Sequence, residues 1–198
     1  MNDHLLLSMR IKDIHKQEAI IDATVELVNE IGFVSSSVSK IAKKAGVSPA
    51  TIYIYYKNKE DLLVSTYVGI KEKLGKAAIK NIDENKPIRD ILKEVWVNLF
   101  DYISKNKEYF RFTEQFSHSP YAEIVKKEEV ERVFEPIYKI VRKGIEQKII
   151  KDINYDILSA FMFYPIITLA NPRICESLKL DNNTIDTSFK LAWDAIRL

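Results

Sequence analysis

Between Ser36 and Tyr56 the chain reads SSVSKIAKKAGVSPATIYIYY, and this run leaves few local structures open. Ser37 supplies a hydroxyl that can accept from a free N–H at a helix start. Val38, Ile41, Ala42 and Ala45 then recur at helical spacing. Gly46 follows, where a left-handed helix end is cheapest for a residue without Cβ. Ser48 can cap again, and Pro49 stands at a first helical position, where a missing N–H costs nothing. The second helix carries Thr51, Ile52, Tyr53 and Tyr55. Helix, glycine turn and helix in this order is the arrangement that lays its second helix in a DNA major groove.

The local charges agree. Lys40, Lys43, Lys44, Lys57 and Lys59 fall between Ser36 and Lys59 with no acidic residue among them. A lysine-rich solvated face is the bland alternative. Here, though, Ser, Thr and Tyr hydroxyls are interleaved with the lysines, the mixture on which phosphate contacts draw. The positive charge is local, since 30 Lys and Arg against 28 acids leave a net charge of only +2 over 198 residues.

The run GVSPATIYIYYKNKEDLL, Gly46 to Leu63, resembles the signature of the TetR family of bacterial transcriptional repressors. Upstream, Ala23, Leu27, Gly32 and the segment IAKKAGVS match the same pattern. The resemblance implies an all-α protein with a helix-turn-helix DNA-binding head, residues 1–58, and a helical ligand-binding and dimerisation body, residues 59–198. Phosphate contacts carry over onto Ser37, Tyr53, Tyr55 and Lys59, and base-facing positions onto Ser39, Pro49, Ala50 and Thr51. None of those base-facing positions holds Arg, Lys, Gln or Asn, so the long bidentate base pairings are unavailable to them.

The rest of the chain reads as helix throughout. Ile20, Ala23, Leu27, Val28 and Ile31 predict a first helix over 12–31, ended by Gly32, with the residues before it a mobile arm. Asn58 predicts the cap of a helix running to about Asn81 that joins head to body. Further helices are predicted from Pro87 to Ile103, through Tyr109 to Phe116, over 121–149, over 154–170 and over 184–197, the last capped by Asn183. The segment 117–120, SHSP, and Pro136 are breakers.

The body is rich in aromatic residues, most of which any helical core needs. Trp96, Phe100, Phe112, Phe116, Tyr138 and Phe161 are candidate linings of an apolar small-molecule site, with Glu114 and His118 as its polar groups. Ile157, Phe161, Pro165 and Leu169, with Ile185, Phe189, Trp193 and Ile196, form two apolar faces near the C-terminus. In the family, the equivalent pair forms a four-helix dimer interface across a two-fold axis.

Other functions find little support. Ser117, His118 and Ser119 are adjacent in sequence, which does not create nucleophile–base geometry. There is no glycine-rich phosphate loop, HExxH or nucleophile elbow, so the chain does not read as an enzyme. Asp181 and Asn183 resemble the start of a calcium loop, but Asp186 stands where its glycine belongs. No metal or cofactor is expected. A single cysteine, Cys175, permits no internal disulfide and suits the cytoplasm, and no apolar run is long enough for a membrane span. The expectation is therefore a homodimeric repressor on a double-stranded, pseudo-palindromic operator, released by an apolar or aromatic effector. The alternative is a DNA-binding factor controlled by a protein partner without a small ligand.

Overall fold

The computed structural model describes residues 3–171, 174, 175 and 177–198, and among these there is no strand. Helix α1 runs Asp3–Ser35, α2 Val38–Lys44, α3 Pro49–Tyr55 and α4 Lys59–Ala78. Then follow α5 Ile88–Lys105, α6 Lys107–Ser117, a 3-10 turn Pro120–Ile124, α7 Lys127–Glu146, α8 Tyr155–Met162, α9 Tyr164–Leu169 and α10 Asn182–Ile196. The fold class is all-α.

Several boundaries differ from the sequence expectation. Helix α1 begins at Asp3 rather than near Lys12, since neither Gly nor Pro interrupts the chain before Gly32. Gly32 does break it, with φ 77° and ψ 169°, a region only glycine adopts freely. The segment expected as one helix over 154–170 is two, because Pro165 has no N–H to continue the ladder past Phe163. Pro136, in contrast, is accommodated inside α7. The cap of α10 is Asp181, not Asn183: its carboxylate accepts from Thr184 N at 2.9 Å and Thr184 Oγ1 at 3.0 Å. That pairing also accounts for the carboxylates that resembled a calcium loop.

Packing divides the chain into two compact units. The first comprises Met1–Ile70 with Glu108–Lys126, a grouping the division at 58/59 did not anticipate. One of its cores gathers Ile20, Ala23 and Leu27 of α1, Ile41 and Ala42 of α2, Ile52 of α3, Tyr56 and Leu62. A second core joins Val25 and Val28 to Leu63, Ile70, Phe112 and Phe116. Polar pairing holds α6 to α1: Asn29 Nδ2 donates to Glu108 O and Oε2 at 2.9 and 2.8 Å, and Gln115 Nε2 donates to Asn29 Oδ1 at 2.9 Å.

The second unit comprises Lys71–Lys107 and Lys127–Leu198. Helix α5 supplies its spine, burying Ile88, Ile91, Leu92, Val95, Trp96, Leu99, Phe100 and Ile103 along one stripe. Helix α10 lays Phe189 against Trp96, ring centroids 5.8 Å apart, edge to face. Helices α4 and α7 approach closely at Gly75, where an added Cβ would stand 2.4 Å from Val133 Cγ1.

Candidate nucleic-acid interface

The helix pair α2–α3 is shaped by its caps. Ser37 Oγ accepts from Lys40 N at 3.3 Å, and Ser48 Oγ accepts from Thr51 N at 3.1 Å. Each hydroxyl satisfies one of the N–H groups that a helix start leaves without an internal partner. Between the two helices Gly46 takes φ 68°, the left-handed conformation that lets Val47 N return to Ala42 O at 2.9 Å. The core then sets the orientation of α3. Ile52 is buried, Thr51 and Tyr55 are half-buried, and Pro49, Ala50, Tyr53 and Ile54 are exposed.

The expected contact residues therefore share a surface for the most part. Ser37, Ser39, Pro49, Ala50 and Tyr53 are exposed, with Thr51, Tyr55 and Lys59 partly so. The lysines, which look alike in sequence, fall into distinct roles. Lys44 folds back onto α1, its Nζ 2.7 Å from Glu30 and 3.2 Å from Glu26, and the hydrogen bonds to those carboxylates hold its ammonium above the usual lysine range. Lys40 Nζ donates to Ser35 O at 3.1 Å. Lys59 Nζ donates to Phe33 O at 2.6 Å and weakly to Val34 O at 3.4 Å, covering carbonyls that follow the Gly32 break. An ammonium has three donors, so one remains for a phosphate. Lys43 and Lys57 are exposed. Asn58 caps α4 through Oδ1, which accepts from Asp61 N at 2.8 Å.

Two family models match this chain: "Bacterial regulatory proteins, tetR family" over residues 20–66 and "Tetracyclin repressor-like, C-terminal domain" over residues 87–197. The chain belongs to the TetR family. A TetR-family transcription regulator from Marinobacter aquaeolei VT8 is 34% identical with a TM-score of 0.86, the match covering 95% of this chain and 98% of that one. The Fatty acid metabolism regulator protein of Bacillus subtilis (strain 168) is 48% identical over 79 residues, which span 40% of this chain and only 39% of the relative. The transcriptional regulator FadR from Bacillus subtilis, in complex with stearoyl-CoA, is 25% identical with a TM-score of 0.69, covering 88% of this chain and 95% of that one. This TetR-family protein is a DNA-binding transcriptional regulator, and α2–α3 is its helix-turn-helix.

The candidate effector residues of this TetR-family chain are dispersed. Phe112 and Phe116 are wholly buried in the first unit, where Phe33 meets them at 5.7 and 6.0 Å between centroids and Tyr67 stacks on Phe116 at 4.4 Å. Trp96 and Phe100 pack together in the second unit at 5.9 Å, and Tyr138 meets Tyr155 edge to face at 4.4 Å. Burial pushes the phenols of Tyr138 and Tyr155 above their ordinary range. Phe161 is 56% exposed, and Glu114 and His118 are exposed as well, on the outward side of α6 and at its end. Ser117 Oγ donates to Thr113 O at 2.8 Å and Ser119 Oγ to Phe116 O at 2.7 Å, so the Ser-His-Ser run is a helix end.

Sequence reasoning missed one feature of α5. Trp96 Nε1 and Tyr102 OH are buried with no hydrogen-bond partner among the described residues. Only packing reveals this, because it depends on what lies opposite each side chain. A buried donor left unpaired costs about 1–3 kcal/mol.

The expected dimer residues also divide. Phe189, Trp193 and Ile196 are buried inside the protomer, and Pro165, Leu169 and Ile185 are half-buried. Ile157 and Phe161 are exposed and continue with Ile153 and Tyr164 along one stripe of α8 and its approaches. The inward assignment of Phe189 follows from Trp96 and Arg89, whose guanidinium lies 5.5 Å from the Phe189 ring centroid. Among the described residues no helix is long and apolar enough to cross a membrane.

Proposed function

We propose that this regulator is a homodimeric repressor that occupies a pseudo-palindromic operator and leaves it on binding a ligand with a long apolar chain. The observation that carries the DNA part is the outward surface of α3, whose exposed residues stand opposite the buried Ile52. Two such heads on a two-fold axis would read half-sites about 34–36 Å apart. Ser37, Tyr53, Tyr55 and Lys59 would hold phosphates, while Ser39, Pro49, Ala50 and Thr51 would face bases. With so few long polar groups, reading would rest on thymine methyls and on DNA shape.

Dimerisation is supported by the stripe Ile153, Ile157, Phe161 and Tyr164, large apolar residues that the protomer leaves uncovered. The ligand class is supported by the likeness to a fatty acid metabolism regulator and to FadR, whose structure is with stearoyl-CoA. An acyl thioester brings a chain for the apolar body and a carbonyl oxygen that could accept from Trp96 Nε1. A ligand that binds the DNA-incompetent form more tightly shifts the population off the operator.

The test is selection of duplexes from a randomised pool by the purified protein, followed by titration of the selected complex with stearoyl-CoA, free coenzyme A and a polar metabolite mixture. Release by stearoyl-CoA alone is expected. Release by the polar mixture with no response to stearoyl-CoA would refute the ligand reading.

A further inference from the structure

Helix α3 displays one large aliphatic side chain that the head's core does not use. At about 100° per residue, the inward side of α3 is centred on Ile52, Tyr55 and Thr51. The opposite side is then centred on Ala50, with Tyr53 and Ile54 flanking it. Ile54 is 76% exposed. Single exposed apolar residues are ordinary on protein surfaces, so exposure alone decides nothing. The position decides it: Ile54 lies one helical turn beyond Ala50 and beside Tyr53, on the outward side of the helix that enters the groove.

Chemistry narrows what it could touch there. A sec-butyl group has no donor for a phosphate oxygen and no partner for a base-edge acceptor. On DNA it can cover only sugar carbons or the C5-methyl of thymine, and only the second carries sequence information. Ala50 offers a single methyl on the same face, too short to reach far alone, and Tyr53 places a ring beside it. The three form a continuous apolar ridge ringed by the exposed hydroxyls and lysines of α2 and the following loop, Ser37, Ser39, Lys43 and Lys57. A ridge that is apolar at its crest and polar and cationic at its margins matches a major groove lined by methyls between phosphate strands.

We propose that Ile54 is a specificity-determining contact of this helix-turn-helix, pressing its side chain against a thymine methyl in each half-site. The proposal rests on the operator-binding reading above and extends base reading to a position outside the expected set of Ser39, Pro49, Ala50 and Thr51.

The experiment uses full-length protein and the duplex it selects from a randomised pool. Each thymine of a half-site is replaced in turn by uracil, which removes only the methyl, and affinities are measured for wild type and Ile54→Ala. One replacement per half-site should cost wild type about fourfold, the equivalent of ~0.8 kcal/mol per buried methyl group. The same replacement should cost Ile54→Ala nothing. Ile54→Ala should itself weaken the selected duplex several-fold and leave random duplex binding unchanged. Undiminished affinity of Ile54→Ala, or uracil sensitivity identical to wild type at every thymine, would overturn the proposal. So would an equal loss on selected and random duplex, which would place Ile54 on the backbone, or a changed oligomeric state by light scattering, which would place it between protein copies. Failure of wild type to enrich any sequence would refute the operator reading itself, and is thereby distinguishable.

Discussion

Two glycines on the same helix give a paired test of how α4 is packed. At Gly69 an added Cβ meets nothing within 4 Å, whereas at Gly75 it would stand 2.4 Å from Val133 Cγ1 and 2.9 Å from Val133 O. Replacing either glycine by alanine removes the same backbone-entropy cost and gains about 0.5–1 kcal/mol of helix stability. Gly69→Ala should therefore stabilise by that amount. At Gly75 the gain is opposed by overpacking, which costs about 1–3 kcal/mol. The upper half of that range applies, because valine in a helix is stiff at χ1 and the second obstacle is a backbone oxygen that cannot rotate away. Gly75→Ala should be destabilising by about 1–2 kcal/mol, some 2–3 kcal/mol below Gly69→Ala. For a chain of this size that is a separation of roughly 4–12 °C in Tm. Thermal unfolding followed by circular dichroism at one fixed protein concentration is the assay, since association shifts apparent stability. If Gly75→Ala unfolds at or above the temperature of Gly69→Ala, the close approach of α4 and α7 is wrong.

The remaining predictions concern function. Lys59→Ala should weaken operator and random DNA alike and lower the salt slope by about 1, and should also cost stability through the lost tie to Phe33 O; a loss confined to operator DNA would contradict a phosphate role. Phe161→Glu should yield a folded monomer, because its ring is exposed, whereas Phe189→Glu should fail to fold, because its ring is 1% exposed in the core; an intact Phe161→Glu dimer by light scattering would remove α8 from the interface. Trp96→Phe keeps the apolar volume and removes the buried N–H, so stability should be unchanged or slightly higher while about tenfold more stearoyl-CoA is needed to release DNA; an unaltered titration would deny Trp96 any ligand contact. Uracil in place of the thymines beneath Pro49, Ala50 and Thr51 should reduce affinity, each mismatch at such positions costing about 1–3 kcal/mol; affinity untouched by every replacement would move the reading to DNA shape.

Much of the head was legible because its determinants are local. Ser37, Gly46, Ser48 and Pro49 act within a few residues of themselves, and each appears in the structure in the conformation its chemistry implies. The same holds for the Gly32 break and the Asn58 cap. The all-helical class followed from periodicity, which needs no knowledge of partners. Helix ends in the body were less legible. Asp181 and Asn183 are both competent caps, and only the position of Thr184 N in space chooses between them.

What the tertiary structure alone decided is which of several equivalent residues does which job. Lys40, Lys44 and Lys59 are indistinguishable by type, yet one is drawn to Glu26 and Glu30 and the others to backbone carbonyls. Phe112 and Phe161 are both phenylalanines on apolar helix faces, yet one is buried beneath α1 and the other stands open. Periodicity reports that a face is apolar, but a face can be covered by its own chain or by another molecule, and that depends on pairings remote in sequence. Asn29 with Glu108 and Gln115, and Trp96 with Phe189, are such pairings. Local chemistry shaped the reading helix, and long-range packing decided which side of it was left outward for DNA.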